Sequence, residues 1–91
     1  MNAKMLSKVI EVENRVNTIC KCLVLGEVDH FTVEYSNREV SITAYSYQMK
    51  KTEKLTDLMR IYAEPEDNII VKNLAVEGRV IWTIEMSIPL N

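Results

Sequence analysis

The sequence predicts an α+β domain in which two helices cover one face of a four-stranded antiparallel sheet, in the order αββαββ. Three observations carry this. Apolar residues recur at helical spacing from Met5 to Leu23 and again from Leu55 to Tyr62. Two other stretches alternate apolar and polar residues about a short charged turn. Helices and hairpins follow one another along the chain, and both apolar strand sets need one cover.

The first helix spans roughly residues 3–25. Met5, Val9, Val12, Val16, Ile19 and Leu23 form one stripe, while Lys4, Lys8, Glu11, Arg15 and Lys21 take the other face. Gly26 follows and is a natural stop. In "HFTVEYSNREVSITAYS" a turn at Asn37–Arg38 sets Val33 opposite Ile42 and Phe31 opposite Ala44, so the two apolar sets share a side.

"KKTEKLTDLMRIYAEPED" reads as the second helix, with Leu55, Leu58, Met59 and Tyr62 as its stripe and Pro65 just beyond its end. Met49 fits either this stripe or the preceding strand. The tail folds into a second hairpin about Glu77–Gly78. That turn opposes Ala75 to Val80, Asn73 to Trp82, Val71 to Ile84 and Ile69 to Met86, an almost wholly apolar face.

Each half thus holds a helix, a short acidic loop ("GEVD", then "EPED") and a hairpin with a charged turn. The connectivity resembles a circularly permuted ferredoxin-like fold whose usual first strand has moved to the end. Such a resemblance concerns architecture and carries no activity.

Ninety-one residues, 47% apolar and 26% charged, suit one ordinary globular domain, residues 1–91. A net charge of −2 gives no overall attraction to nucleic acid or to an anionic membrane. The apolar runs are too short to span a bilayer or to form a signal core, so no membrane partner is expected. Two cysteines placed two positions apart point to a reducing cytoplasm.

"TICKCLVLGEVDHF" contains Cys20, Cys22 and His30, the only stretch with metal or redox potential. On a helix, residues two apart point about 200° from each other. Zinc sites space paired cysteines by two to four residues and need four ligands. Cys20 therefore reads as a small core residue, and His30 as a strand residue facing away from the helices. No catalytic residue, cofactor or metal ligand is assigned, because no phosphate loop or nucleophile elbow accompanies the lone histidine.

Three surfaces remain as binding candidates. The uncovered sheet face carries Ile70, Leu74 and Ile81 beside Lys72, Arg79 and Glu85, more apolar than solvent requires, and suits a protein interface or a homodimer. The acidic loops carry Glu27 and Asp29, then Glu64, Glu66 and Asp67. If the halves are related by a pseudo-twofold, both loops are expected at one sheet edge, where their fields add. Tyr45 and Tyr47 precede Lys50, Lys51 and Lys54, the stack-and-clamp composition of a single-strand nucleic-acid module.

In size, acidity and absence of catalytic groups, the chain resembles small phage-encoded inhibitors of the anti-CRISPR type. That resemblance implies a non-catalytic protein of the host cytoplasm that sterically blocks a protein or nucleoprotein complex. The secondary expectations are the nucleic-acid module and a homodimeric regulatory or structural subunit.

Overall fold

Val12, Val16, Ile19 and Leu23 are buried along one side of α1 (Ala3–Leu25), as the helical spacing predicts. The computed structural model describes residues 3–90, with side-chain environments from Leu6 to Leu90; Lys4 and Met5 of the predicted helix faces lie outside those environments. Among the described side chains of α1, burial starts at Val12: Leu6 and Ile10 are about half exposed, and Val9 is exposed as well. The reason is length. Twenty-three helical residues reach about 34 Å, whereas a six-residue strand such as β1 (His30–Tyr35) reaches about 20 Å. The first turns of α1 therefore overhang the sheet.

The helix stops differently from the sequence expectation. The left-handed residue is Glu27, at φ 59°, rather than Gly26. Glu27 N–H donates to Val24 O at 3.1 Å, and Val28 N–H donates to Leu23 O at 3.0 Å. These two bonds make a Schellman ending, with Val28 folding back against the core. Gly26 is needed for a separate reason: a Cβ there would lie 2.9 Å from Leu55 Cδ2 and 3.1 Å from Cys22 O.

The chain continues through β2 (Glu39–Ser46) to α2, which runs Met49–Ile61, so Met49 opens the helix and is exposed. Its buried stripe is Thr52, Leu55, Thr56 and Met59. The threonines are tolerated there because each hydroxyl donates to a carbonyl four residues back. Thr52 Oγ1 reaches Gln48 O at 2.8 Å and Thr56 Oγ1 reaches Thr52 O at 2.7 Å.

Strands β3 (Asn68–Val76) and β4 (Arg79–Pro89) complete a four-stranded sheet of order β1-β2-β4-β3, antiparallel throughout. This is the ferredoxin-like order with the first strand moved to the end, and both helices pack on one face. The hairpin registers are the predicted ones: Val33 faces Ile42, and Val71 faces Ile84. Pairing of β2 with β4 sets Ile42 beside Met86 and Ala44 beside Ile84, joining the two apolar sets into one core.

The cover, however, does not extend along the whole second hairpin. A helix of 13 residues spans about 20 Å, while the nine residues of β3 and eleven of β4 span about 30 to 36 Å. Every β3 residue except Ile69 is exposed. Beyond Trp82 the hairpin is an arm without a second layer among the described residues, and Val80 of its predicted apolar face meets solvent; Val71, beside α2, is exposed as well. The radius of gyration is 14.0 Å, against about 12 Å for a compact chain of this length. The long axis measures 50 Å and the others 22 and 20 Å.

Candidate functional site

Strand alternation sends His30, Thr32 and Glu34 of β1 to the face opposite the helices, with Ser41, Thr43 and Tyr45 of β2. The registers align His30, Tyr45, Thr83 and Lys72 as one row across all four strands. The next row toward the arm is Leu74 with Ile81, and beyond it Val76 with Arg79. On this face the His30 and Tyr45 rings lie 5.6 Å apart, tilted by 33°. Tyr47, in the link to α2, lies under the Arg79 guanidinium at 5.2 Å.

These side chains line a groove of about 590 Å³ formed by His30, Tyr45, Tyr47, Leu74, Ile81 and Thr83, with Lys72 and Asn73 at its β3 side. Lys72 Nζ lies 3.5 Å from Glu85 Oε2, an exposed pair that contributes little stability. Leu74 is 65% exposed and Ile70 41%, so the apolar face expected from the sequence is present and open. The groove also unites residues that the sequence distributes between two readings: Tyr45 and Tyr47 of the nucleic-acid reading stand beside Leu74, Ile81 and Arg79 of the protein reading.

The lysines do not join the tyrosines. Lys50, Lys51 and Lys54 belong to α2, on the covered side of the sheet, whereas Tyr45 faces outward. Lys51 Nζ is held 3.7 Å from Asp29 Oδ1, and the other Asp29 oxygen accepts Tyr47 N–H at 3.2 Å. Asp29 therefore ties the β2–α2 link to the loop after α1.

The expectation that the acidic loops share an edge is corrected by the strand order. The pseudo-twofold is normal to the sheet, between β2 and β4, and sends the loops to diagonally opposite corners. Asp29 adjoins the row of Thr83, and Asp67 adjoins Asn68, which pairs with Ser87. Those rows lie about 13 Å apart along β4, on edges three strand spacings, about 14 Å, apart.

One of the acidic candidates also faces inward. The Asp67 side chain is 1% exposed, pairs with Arg15 and accepts Glu64 N–H at 2.8 Å. Arg15 further donates to Tyr62 O at 2.9 Å and stands 3.7 Å from Glu64 Oε2. A loop acid reads as solvated in sequence; here it anchors α1, α2 and the start of β3. Glu66 and Glu27 remain exposed.

Cys20 packs against the core, and its burial raises the thiol pKa. Cys22 faces Tyr62, whose hydroxyl pKa is raised first by their hydrogen bond and then by the charge on the sulfur. His30 is on the far face with Tyr45, so the three side chains are not brought together. Among the described residues, no three His, Cys, Asp or Glu side chains cluster as metal ligands.

His30 and Thr83 are groove residues that sequence reasoning left out of its candidate site. The first hairpin's register already sets His30 opposite Tyr45, but the neighbourhood of Thr83 depends on the long-range β2–β4 pairing. Among the described residues, no helix is long and apolar enough to cross a membrane. Compared with protein families, with curated proteins and with solved structures, the chain matches none.

Proposed function

We propose that this chain is a non-catalytic binding protein that docks onto a protein or nucleoprotein complex through the β3–β4 arm and the adjoining groove. One observation carries the reading: the arm exposes apolar side chains on both faces. Leu74 at 65% and Val76 at 42% lie on the open side, Val80 at 42% on the other. A free-standing hairpin gains nothing from such residues, whereas insertion into a partner's cleft buries both faces. The groove groups stack, pack and donate hydrogen bonds, which suits recognition. The mode of action is blockade, as in an anti-CRISPR-type phage inhibitor acting in the host cytoplasm: the arm occupies a surface that a nucleic acid or subunit would otherwise use.

The test is capture of a tagged protein from lysate of its source cells, with and without nuclease, beside the Leu74→Asp/Ile81→Asp variant. The expected result is a stoichiometric protein partner that survives nuclease and is lost from the variant while the fold persists. Equal recovery by the variant would remove the arm from the account.

The aromatic row of His30, Tyr45 and Tyr47 favours single-stranded nucleic acid as the second reading. Here the separated lysines matter. Lys50→Glu/Lys51→Glu/Lys54→Glu should leave a groove-bound strand largely in place, whereas Tyr45→Ala should release it. Loss of binding in the lysine variant would move the nucleic-acid site to α2.

A further inference from the structure

We propose that the free edge of β3 pairs antiparallel with β3 of a second copy, joining two sheets into one of eight strands. Val76 and Arg79 flank the two-residue turn Glu77–Gly78, with φ 52° and 77° at the turn residues. The pair closing such a turn is hydrogen-bonded, and bonding alternates along the ladder from there. Ile70, Lys72, Leu74 and Val76 therefore spend their N–H and C=O groups on β4. Those of Ile69, Val71, Asn73 and Ala75 point off the edge.

β3 has few of the usual edge defences. It contains no proline, and its one charge, Lys72, is already matched by Glu85 at 3.5 Å. A nine-residue edge with four outward-pointing residues asks for a strand of similar length.

The side chains favour this chain itself as that strand. A twofold axis normal to the sheet at Asn73 places Ile70 opposite the second copy's Val76 and Val71 opposite its Ala75. It places Lys72 opposite Leu74, whereas an axis at Lys72 would oppose two lysines. The same axis carries each hairpin tip along the partner's β3, beside a cleft of about 330 Å³ between α2 and the arm. Val71, Trp82 and Arg60 line that cleft. Ala75 and Val80 of the tip then flank it, and the acidic Glu77 comes level with Ile69, at the Arg60 end. Apolar contacts and charge both match across the axis, twice by symmetry. This inference does not depend on the proposed function.

Sedimentation equilibrium across a micromolar dilution series is the test. Wild type is expected to dimerise, and Asn73→Pro should weaken the dimer about 10- to 100-fold by removing one outward N–H from each copy. The β3–β4 ladder is spared, because that N–H does not face β4. Should Asn73→Pro lose its circular-dichroism signature, Ala75→Lys on the same exposed edge replaces it.

Asn73→Cys, in a Cys20→Ala/Cys22→Ala background, should oxidise to a covalent dimer. Directly opposed hydrogen-bonded residues lie about 5.5 Å apart at Cα, within disulfide range. A monomeric wild type, a dimer indifferent to both edge variants, or open-ended oligomers would each overturn the proposal. Partner capture that persists with a monomeric Asn73→Pro would leave the proposed function standing; loss of capture in Leu74→Asp/Ile81→Asp alone bears only on that function.

Discussion

Asp67 follows Arg15 by 52 positions, yet its carboxylate accepts the Arg15 guanidinium with only 1% of the side chain exposed. The pair ties α1 to the loop between α2 and β3. A carboxylate in that position is costly without a cation, so the contact is asymmetric in what its removal does.

Arg15→Ala should destabilise the fold by about 2 to 3 kcal/mol, because it leaves a buried carboxylate with only the Glu64 N–H. Asp67→Asn should cost less, since Asn can still accept that N–H and Arg15 keeps Glu64 within reach. Urea unfolding of both variants measures the difference. Equal costs would mean that water replaces the arginine.

Glu27→Gly should stabilise the protein by about 0.5 to 1 kcal/mol. The backbone at Glu27 sits at φ 59°, which an L side chain resists and glycine accepts. Among the described residues, no hydrogen bond or ion pair of the Glu27 side chain opposes the gain. A lower midpoint in thermal unfolding would show that its charge contributes more than its backbone costs.

Gly26→Ala should act in the opposite direction by about 1 kcal/mol or more, as its Cβ would press on Leu55 Cδ2 and the Cys22 carbonyl. A companion Leu55→Val change should recover part of the loss by withdrawing the clashing methyl. Additive losses in the double variant would place the conflict in the backbone instead.

The Cys20 thiol should alkylate more slowly than an open thiol near neutral pH, because burial raises its pKa and lowers its thiolate fraction. The linkage runs the same way. A raised folded-state pKa contributes stability that is present below the ordinary thiol pKa and fades as pH climbs through the folded value. Mass spectrometry of iodoacetamide-treated protein across that alkaline window reads the first effect. Cys20→Ala, compared with wild type in urea at both ends of the window, reads the second.

Both hairpins were legible in the sequence because a two-residue turn sets the register of everything paired through it, and Asn37–Arg38 and Glu77–Gly78 both lie between alternating runs. The helices were legible by period, apart from Thr52 and Thr56, whose hydroxyls hide their polarity by bonding within the helix. What could not be read was anything set by comparing lengths or by long-range partners. The overhang of the arm follows from strands outrunning α2, and the inward turn of Asp67 follows from Arg15 arriving from another element. For the candidate site, the open-face residues were legible by alternation. The separation of Tyr45 and Tyr47 from Lys50, Lys51 and Lys54 was not, since it depends on where the strand ends and α2 begins, and Met49 fits either.

The pairing of β2 with β4 has a kinetic consequence. Each hairpin can close on itself within microseconds, because its contacts are local. Thr43 can meet Glu85 only after the intervening chain, α2 and β3 included, has been brought round. That junction, rather than the helices or turns, is therefore expected to set the rate of folding. Ile42→Val and Met86→Leu should therefore slow refolding, while arm substitutions such as Leu74→Asp should leave the refolding rate nearly unchanged.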